Sequence, residues 1–384
     1  MKLTLQIQLL PDARQSRQLR ETVERFNAAA SWLAGKAFES RSANKVQLQR
    51  LHYQDLRKQF GLSAQMAVRC IAQVCEAYKR DKDKQPRFRK HASMPFDQRM
   101  MSFRGVDRVS LLTLGGRVIV SYVMGRYQRE RFTNAVGQSD LVLRKDGRWF
   151  LLASVNTPEK AEMPVTDFIG VDLGVTNIAT TSDGDVFAGA EVEGVRRRHH
   201  ALRQTLQHKA SKQSQAGKRP RSIRRLLRRK AGQESRFRSH TNHCIGKKLV
   251  ASAIGTRRGI ALEDLKGLRE RVGKRLRRSQ RAKVSGWSFS QLRQFIAYKA
   301  QLAGVPLALV DPRNTSRTCA ACGHCAKENR KSQAEFECVN CRHVNNADIN
   351  AAINIRRRAA QVNRPQASES AAQAASVQVR SLAP

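Results

Sequence analysis

Three carboxylates and a cluster of cysteines are the side chains in this sequence whose types and spacing could do chemistry. Asp172 ends the run Phe168-Ile169-Gly170-Val171-Asp172-Leu173-Gly174, which returns through Val175-Thr176-Asn177-Ile178-Ala179-Thr180. Apolar, β-branched runs bounded by glycine read as a buried strand, a turn and a second strand. An acid inside such a run is costly to bury unless it is paired or holds a metal. Glu263 closes a second such run, 259–265, and its neighbour Asp264 must point to the opposite face, since strand side chains alternate. Asp348, in Asn346-Ala347-Asp348-Ile349-Asn350-Ala351-Ala352-Ile353, opens a helix whose apolar positions include Ile349 and Ala352/Ile353. Singly, each acid is as well read as structural: Asp172 as a turn residue, Asp348 as an acid favoured by the helix dipole. Together, two strand ends and a helix start can deliver three carboxylates to one edge of a sheet. That set suits two Mg²⁺ ions about 3.5–4 Å apart, the arrangement of phosphodiester cleavage.

Five of the eight cysteines lie between Cys319 and Cys341. Cys319-Ala-Ala-Cys322 and Cys338-Val-Asn-Cys341 enclose fifteen residues, the spacing of a four-thiolate structural zinc site that leaves no open position for catalysis. Cys322-Gly-His-Cys325 is also a C-x2-C pair, so the first knuckle has two registers; Gly323, placed to turn just after a second ligand, favours Cys319/Cys322. His324 and His343 stand as alternative ligands. Cys70, Cys75 and Cys244 sit in apolar, helical-looking stretches and read as buried thiols.

The elements that must position these groups are set in a strongly basic chain. Its 384 residues carry 72 Lys+Arg against 31 Asp+Glu, a formal net charge of +41. Such an excess repels itself unless a polyanion neutralises it, and nucleic acid is the natural partner. No apolar run approaches the roughly 18 residues of a membrane span, and the alternating start Met1-Lys2-Leu3-Thr4-Leu5 is unlike a signal peptide, so the expectation is a cytoplasmic protein without a membrane partner.

Residues 1–10 read as a strand. Leu19, Val23, Phe26 and Ala30, then Met66, Ala67, Ile71, Val74, Cys75 and Tyr78, recur at helical steps, so 11–95 reads as a helical block. It ends in the basic stretch 79–90, read equally as a solvated run or a phosphate-contacting edge. Residues 96–157 return to strands, with Gly115-Gly116 and Asp146-Gly147 as hairpin turns. This β unit reads as a small barrel that can include the first strand, with the helices inserted. Residues 156–164, with two prolines, form a linker. Beyond the acidic hairpin, 196–230 holds 14 Lys/Arg and no acid, with Ile223, Leu227, Ala231 and Phe237 as a helical stripe continuing to Leu249-Val250. A second basic run spans 269–283, a helix 291–302, a strand 305–311, and 361–384 reads as a disordered tail.

Gly170-Val171-Asp172-Leu173-Gly174, Ala261-Leu262-Glu263-Asp264-Leu265, the run Asn314-Thr315-Ser316-Arg317-Thr318-Cys319-Ala320-Ala321-Cys322-Gly323 and the 346–352 helix start resemble the transposon-encoded TnpB (OrfB-type) proteins, compact relatives of type V CRISPR effectors. The motifs cover about 165–357. The resemblance implies an α/β RNase H-like (RuvC) nuclease domain, 165–311 plus 345–360, interrupted by a zinc ribbon, 312–344. It implies a preceding β-barrel wedge domain, 1–10 plus 96–157, carrying an inserted helical recognition lobe, 11–95. It implies a Mg²⁺-dependent RNA-guided DNA endonuclease, with a guide RNA from the transposon end and double-stranded target DNA as partners. Its acidic triad falls on Asp172, Glu263 and Asp348, and its single structural Zn²⁺ on Cys319, Cys322, Cys338 and Cys341. A nuclease-inactive RNA-guided repressor and a DNA transposase are the alternatives.

Overall fold

The computed structural model describes residues 1–132, 136–265 and 289–362, which form two compact units, Met1–Pro158 and Glu159 onward. In the first unit β1 (Lys2–Leu10) leads into α1 (Ala13–Glu39), α2 (Lys45–Phe60) and α3 (Ala64–Tyr78). These are followed by β2 (Met94–Phe96), β3 (Met101–Arg104), β4 (Arg108–Thr113), β5 (Gly116–Val123), the short α4 (Arg126–Arg129), β6 (Val136–Leu143) and β7 (Trp149–Asn156). Each long helix starts on a side-chain cap: Asp12 and Gln15 form a capping box, and Asn44 and Ser63 accept from first-turn amides.

The strands form one antiparallel sheet in the order β2-β6-β7-β1-β5-β4-β3, with β1 at its centre. In a flat sheet its edges, β2 and β3, would stand about 29 Å apart at about 4.8 Å per strand. Only residues 97–100 join them, and so short a link reaches no more than about 18 Å. The sheet therefore curls back on itself, closed by a covalent turn rather than by a ladder. Leu5, Ile7 and Leu9 from β1 share one core with Leu19, Val23, Phe26 and Ala30 of α1 and Met66, Ile71 and Val74 of α3.

The second unit contains β8 (Phe168–Asp172), β9 (Asn177–Thr181), β10 (Val186–Ala188), α5 (Ala190–Gln215), α6 (Arg221–Lys230), α7 (Gln233–Gly255) and β11 (Gly259–Glu263). It continues with α8 (Phe289–Ala303), β12 (Leu307–Val310), the small hairpin β13 (Glu335–Glu337) and β14 (Val344–Asn346), and α9 (Ala347–Val362). The sheet order is β10-β9-β8-β11-β12: an antiparallel meander, then β11 and β12 parallel to β8. Parallel pairing brings the carboxyl ends of β8, β11 and β12 to the same edge. Ile169, Val171, Ile260 and Leu262 pack on α7 and α8, whereas Phe168, Ala261 and Val310 pack on Ile355 and Ala359 of α9. Alternation along each strand thus turns Asp172 and Glu263 toward the α9 face.

Several expectations change. The stripe through Ile223, Leu227, Ala231 and Phe237 is broken, because Ala231 leaves the helix (ψ 134°) and Gly232 turns left-handed (φ 77°) before α7; no residue of α6 is buried. Cys70 is buried, but Cys75 is half-buried and Cys244 is exposed beside His240, since it falls off the face of α7 that carries Ile245, Leu249 and Val250. The basic run 269–283 and nearly all of the 361–384 tail lie outside the described residues. No helix among the described residues is long and apolar enough to cross a membrane.

Candidate functional site

Asp172 is the last residue of β8 and Glu263 the last of β11, the neighbouring parallel strand. Asp348 is the second residue of α9, whose start is capped by Asn346: its side-chain oxygen accepts from the amides of Asp348 at 3.0 Å and Ile349 at 3.3 Å. Glu263 is 9% and Asp348 5% exposed.

Helix α9 can reach the sheet because of Gly170. A Cβ at that position would stand 2.0 Å from the Ala352 carbonyl oxygen and 2.6 Å from the Arg356 amide nitrogen, so only glycine lets the helix backbone lie on β8. A bidentate ion pair, Arg356 to Asp167 at 2.8 and 2.6 Å, fixes the helix along the strand. Although burial works the other way, Arg356 holds the Asp167 carboxyl below its ordinary range. The second glycine of the motif serves the turn: a Cβ on Gly174 would meet the Asn177 carbonyl at 2.7 Å. Asn177, opening β9, donates to Asp348 Oδ2 at 2.9 Å, and Arg330 lies 3.4 Å from Asp348 Oδ1. Glu263 accepts from the hydroxyl of Thr315. Asp264 faces away and pairs with Arg293 at 2.7 Å, as strand alternation requires.

Burial, then the charges of Glu263 and Asp348, push Asp172 up to about 7 from an ordinary 3.8, against Arg330 and the Leu173 amide. Burial also raises Glu263, opposed by the Thr315 hydrogen bond and Arg358 and reinforced by Asp311. Like charges held together in a half-dry site are the signature of a cation site. The donor set fits a hard cation, being all carboxylate. Thr180, across the ladder from Asp172, adds a buried hydroxyl that has no protein partner.

The sign of the Asp172 shift gives a stability prediction. The folded chain keeps a proton up to about pH 7 that the unfolded chain loses near 3.8, so metal-free stability falls as pH rises through that window. Asp172→Asn removes the charge, and the metal-free variant is expected to melt about 2–4 °C above the parent at pH 8, the shift that ~1 kcal/mol gives a domain of this size. Its advantage should fade toward pH 5. Scanning fluorimetry in chelator reads this directly; an unchanged or lower melting temperature at pH 8 would separate Asp172 from the other acids.

The cysteines form the second constellation. Cys319, Cys322, Cys338 and Cys341 bring their sulfurs within 4.8 Å of one another. The 3.7 Å from Cys319 to Cys341 and 3.6 Å from Cys322 to Cys338 approach the separation of about 3.8 Å that Zn–S bonds of about 2.3 Å impose on a tetrahedron. The two knuckles repeat one design. The Cys319 amide donates to the His324 carbonyl and the Cys338 amide to the His343 carbonyl, both at 2.9 Å, so both histidines serve through their backbones. Each knuckle turns through a left-handed residue, Gly323 at φ 78° in the first and Arg342 at φ 60° in the second. Cys325 stays outside the cluster, exposed and bridged to Thr318. The His324 amide, then the nearby sulfurs, lower Cys322 to about 6. Against the His343 amide, the same sulfurs push Cys341 up to about 12. Four thiolates are not compatible there without a cation.

Sequence reasoning missed the residues that bond to the acids, Asn177, Thr315 and Arg330, and the pair Asn350 and Asn354 that bonds to the backbone of 315–320. The last two are buried on α9 while Ile349 and Ile353, the expected core residues, are only half-buried. Their signal was available as two asparagines four residues apart on one helical face.

Residues 152–266 match the family described as "Probable transposase", and residues 289–355 match "Cas12f1-like, TNB domain". The chain is 30% identical over 296 residues to the putative RNA-guided DNA endonuclease InsQ of Escherichia coli K12, covering 70% of this chain and 69% of InsQ. It is also 30% identical over 278 residues to the CRISPR-associated endodeoxyribonuclease Cas12f1 of Sulfoacidibacillus thermotolerans, covering 68% of this chain and spanning 61% of that relative's length. Among solved structures, a Cas12f1–sgRNA–target DNA complex matches in fold with a TM-score of 0.60 at 14% identity, over 88% of this chain and 82% of that one.

Proposed function

The chain belongs to the TnpB (OrfB-type) family, and from that membership we propose that it is an RNA-guided DNA endonuclease cleaving its target beside a short transposon-adjacent motif. The observation that carries the reading is the convergence of Asp172, Glu263 and Asp348 from two parallel strand ends and a helix start. In this reading the second unit is an RNase H-like, RuvC-type nuclease domain interrupted by the ribbon. The guide RNA derives from the transposon end, and the target is double-stranded DNA. Guide pairing reads the sequence, while the protein reads backbone shape and a short motif.

Asp172, Glu263 and Asp348 would hold two Mg²⁺. Bound there, the ions supply Lewis-acid charge at the scissile phosphate and for the attacking water. The chain's own contribution is orientation. Asn177 and Arg330 hold the two oxygens of Asp348, the Leu173 amide holds Asp172, and the Thr315 hydroxyl holds Glu263. Arg330 also adds a positive charge close to the acids, offsetting their mutual repulsion. The net charge of +41, with the five exposed arginines of α6, supports a polyanionic partner.

The four cysteines would hold one structural Zn²⁺, and removing it should unfold both knuckles, since binding and folding are one process in such sites. Elemental analysis of the purified protein is expected to find about one zinc per chain, and none in Cys338→Ser. Finding iron or no metal in the parent would overturn the zinc assignment.

Sequencing the RNA that copurifies with the expressed full chain tests the functional reading. A discrete RNA species from the transposon end is expected; a featureless sample of cellular RNA would contradict it.

A further inference from the structure

We propose that Thr315 is a positioning residue for Glu263, and that it passes the placement of the first cysteine knuckle to the acidic edge of the sheet. The proposal rests on the triad reading above. Thr315 is 2% exposed, and its hydroxyl reaches Glu263 Oε1 as well as the Pro312 carbonyl at 3.1 Å. A hydroxyl has one proton to give, and the carboxylate is the stronger acceptor and the closer partner. With one oxygen of Glu263 engaged, the other stays free to turn toward the sheet edge. Carboxylate ligands are oriented in this way by partners outside the ligand set.

Thr315 is itself held from the other side. Its carbonyl accepts from Asn354 Nδ2 at 2.9 Å, and the same amide reaches the Thr318 carbonyl at 2.7 Å. Asn350 completes the clamp: it donates to Thr318 O at 2.8 Å and accepts from the Ala320 amide at 2.9 Å. Thr318 precedes Cys319, and Ala320 lies between the first two cysteines. An unbroken run of hydrogen bonds thus connects Glu263 to the knuckle through residues 315–320, with Asn350 fully buried and Asn354 5% exposed. Anchoring a loop to a helix needs only apolar packing. Buried amides that bond through both hydrogens, as Asn354 does, or through both oxygen and nitrogen, as Asn350 does, instead specify one register, because a slip would break those bonds. The register they specify is the one that sets the Thr315 hydroxyl on Glu263.

The rival explanation is a hydroxyl that merely closes the turn through the Pro312 carbonyl. Thr315→Val keeps the shape and removes the hydroxyl; Thr315→Ser keeps the hydroxyl. Both variants, as full chains, are expected to retain the parent's zinc content and to stay folded in chelator, with Thr315→Val melting a few degrees lower for its lost buried hydrogen bond. Thr315→Val should bind Mn²⁺, followed by its electron paramagnetic resonance signal, about 10–100-fold more weakly, the usual loss when a ligand's supporting partner is removed. Its cleavage should need correspondingly more Mg²⁺, and Thr315→Ser should restore both. Asn354→Ala keeps the Thr315 side chain but cuts its bond to α9 and so loosens its placement, and the Mg²⁺ requirement should rise there too; an unchanged requirement would overturn the link to the knuckle. Parent-like Mn²⁺ binding in Thr315→Val, or a Thr315→Ser as impaired as Thr315→Val, would overturn the positioning role. Glu263→Gln separates the two levels. If it cuts normally, the triad reading fails; if it is inactive while Thr315→Val is normal, only the present inference fails.

Discussion

Asp172→Ala is expected to abolish target cleavage and to leave guide-RNA binding within error of the parent. Asp172 stands at the centre of the acidic edge: β8 lies between the antiparallel meander and the two parallel strands. In open sheets of this kind ligands bind beyond the carboxyl ends of strands where the strand order reverses direction. Its carboxyl senses both other acids, so its loss would disturb both ions of a two-metal site. Several kcal/mol of transition-state charge stabilisation are at stake. At about 1.36 kcal/mol per tenfold, that corresponds to a loss of at least about 10³ in rate. Asp172 is no part of the cationic excess expected to draw RNA, so filter binding at matched salt should not distinguish variant from parent. Cleavage at the parent's rate would remove Asp172 from the site.

Gly170→Ala is expected to cost nearly as much without touching any acid. Both atoms a Cβ would meet, at 2.0 and 2.6 Å, belong to the α9 backbone, so no side chain can move aside to admit it. Overpacking of this kind costs about 1–3 kcal/mol, sometimes more. Relief requires α9 to lift from β8, and Asp348 rides on its first turn. The expected result is a melting temperature lower by several degrees and a severe loss of cleavage, with zinc content unchanged because the first knuckle is bonded to α9 and moves with it. Thermal melting, cleavage and elemental analysis of the same preparation separate these effects. A Gly170→Ala protein with the parent's stability and activity would mean that α9 does not rest on β8.

Much of the site was legible because its signals are local. A β-branched run ending in an acid, paired cysteines two residues apart, and an acid opening an apolar helical run each declare themselves within a few residues. The hairpins at Gly115-Gly116 and Asp146-Gly147 were legible for the same reason, and both join adjacent strands of the first sheet. What was not legible depends on contacts far apart in sequence. The face of α9 was assigned by apolarity to Ile349 and Ala352/Ile353; Ala352 is buried, but the loop the helix covers offers bare carbonyls, so Asn350 and Asn354 are buried where the isoleucines are not. Thr315 meets Glu263 across 52 residues, a pairing no periodicity encodes. The continuous stripe read through α6 and α7 failed at Gly232, where one left-handed glycine outweighs apolar spacing on either side. Cys244 showed the converse: an apolar neighbourhood in sequence does not fix which face of a helix a residue occupies.

The central claim is that a guide RNA directs the acidic edge to one DNA site. Plasmid cleavage by the purified ribonucleoprotein, reprogrammed with a guide of chosen sequence, tests it most directly. The expected result is Mg²⁺-dependent cutting of the plasmid that matches the guide and carries the adjacent motif. A plasmid mismatched near that motif should stay intact, as should every plasmid treated with Asp172→Ala. Cutting that ignores the guide sequence, or matched binding with no cutting in Mg²⁺, would contradict it.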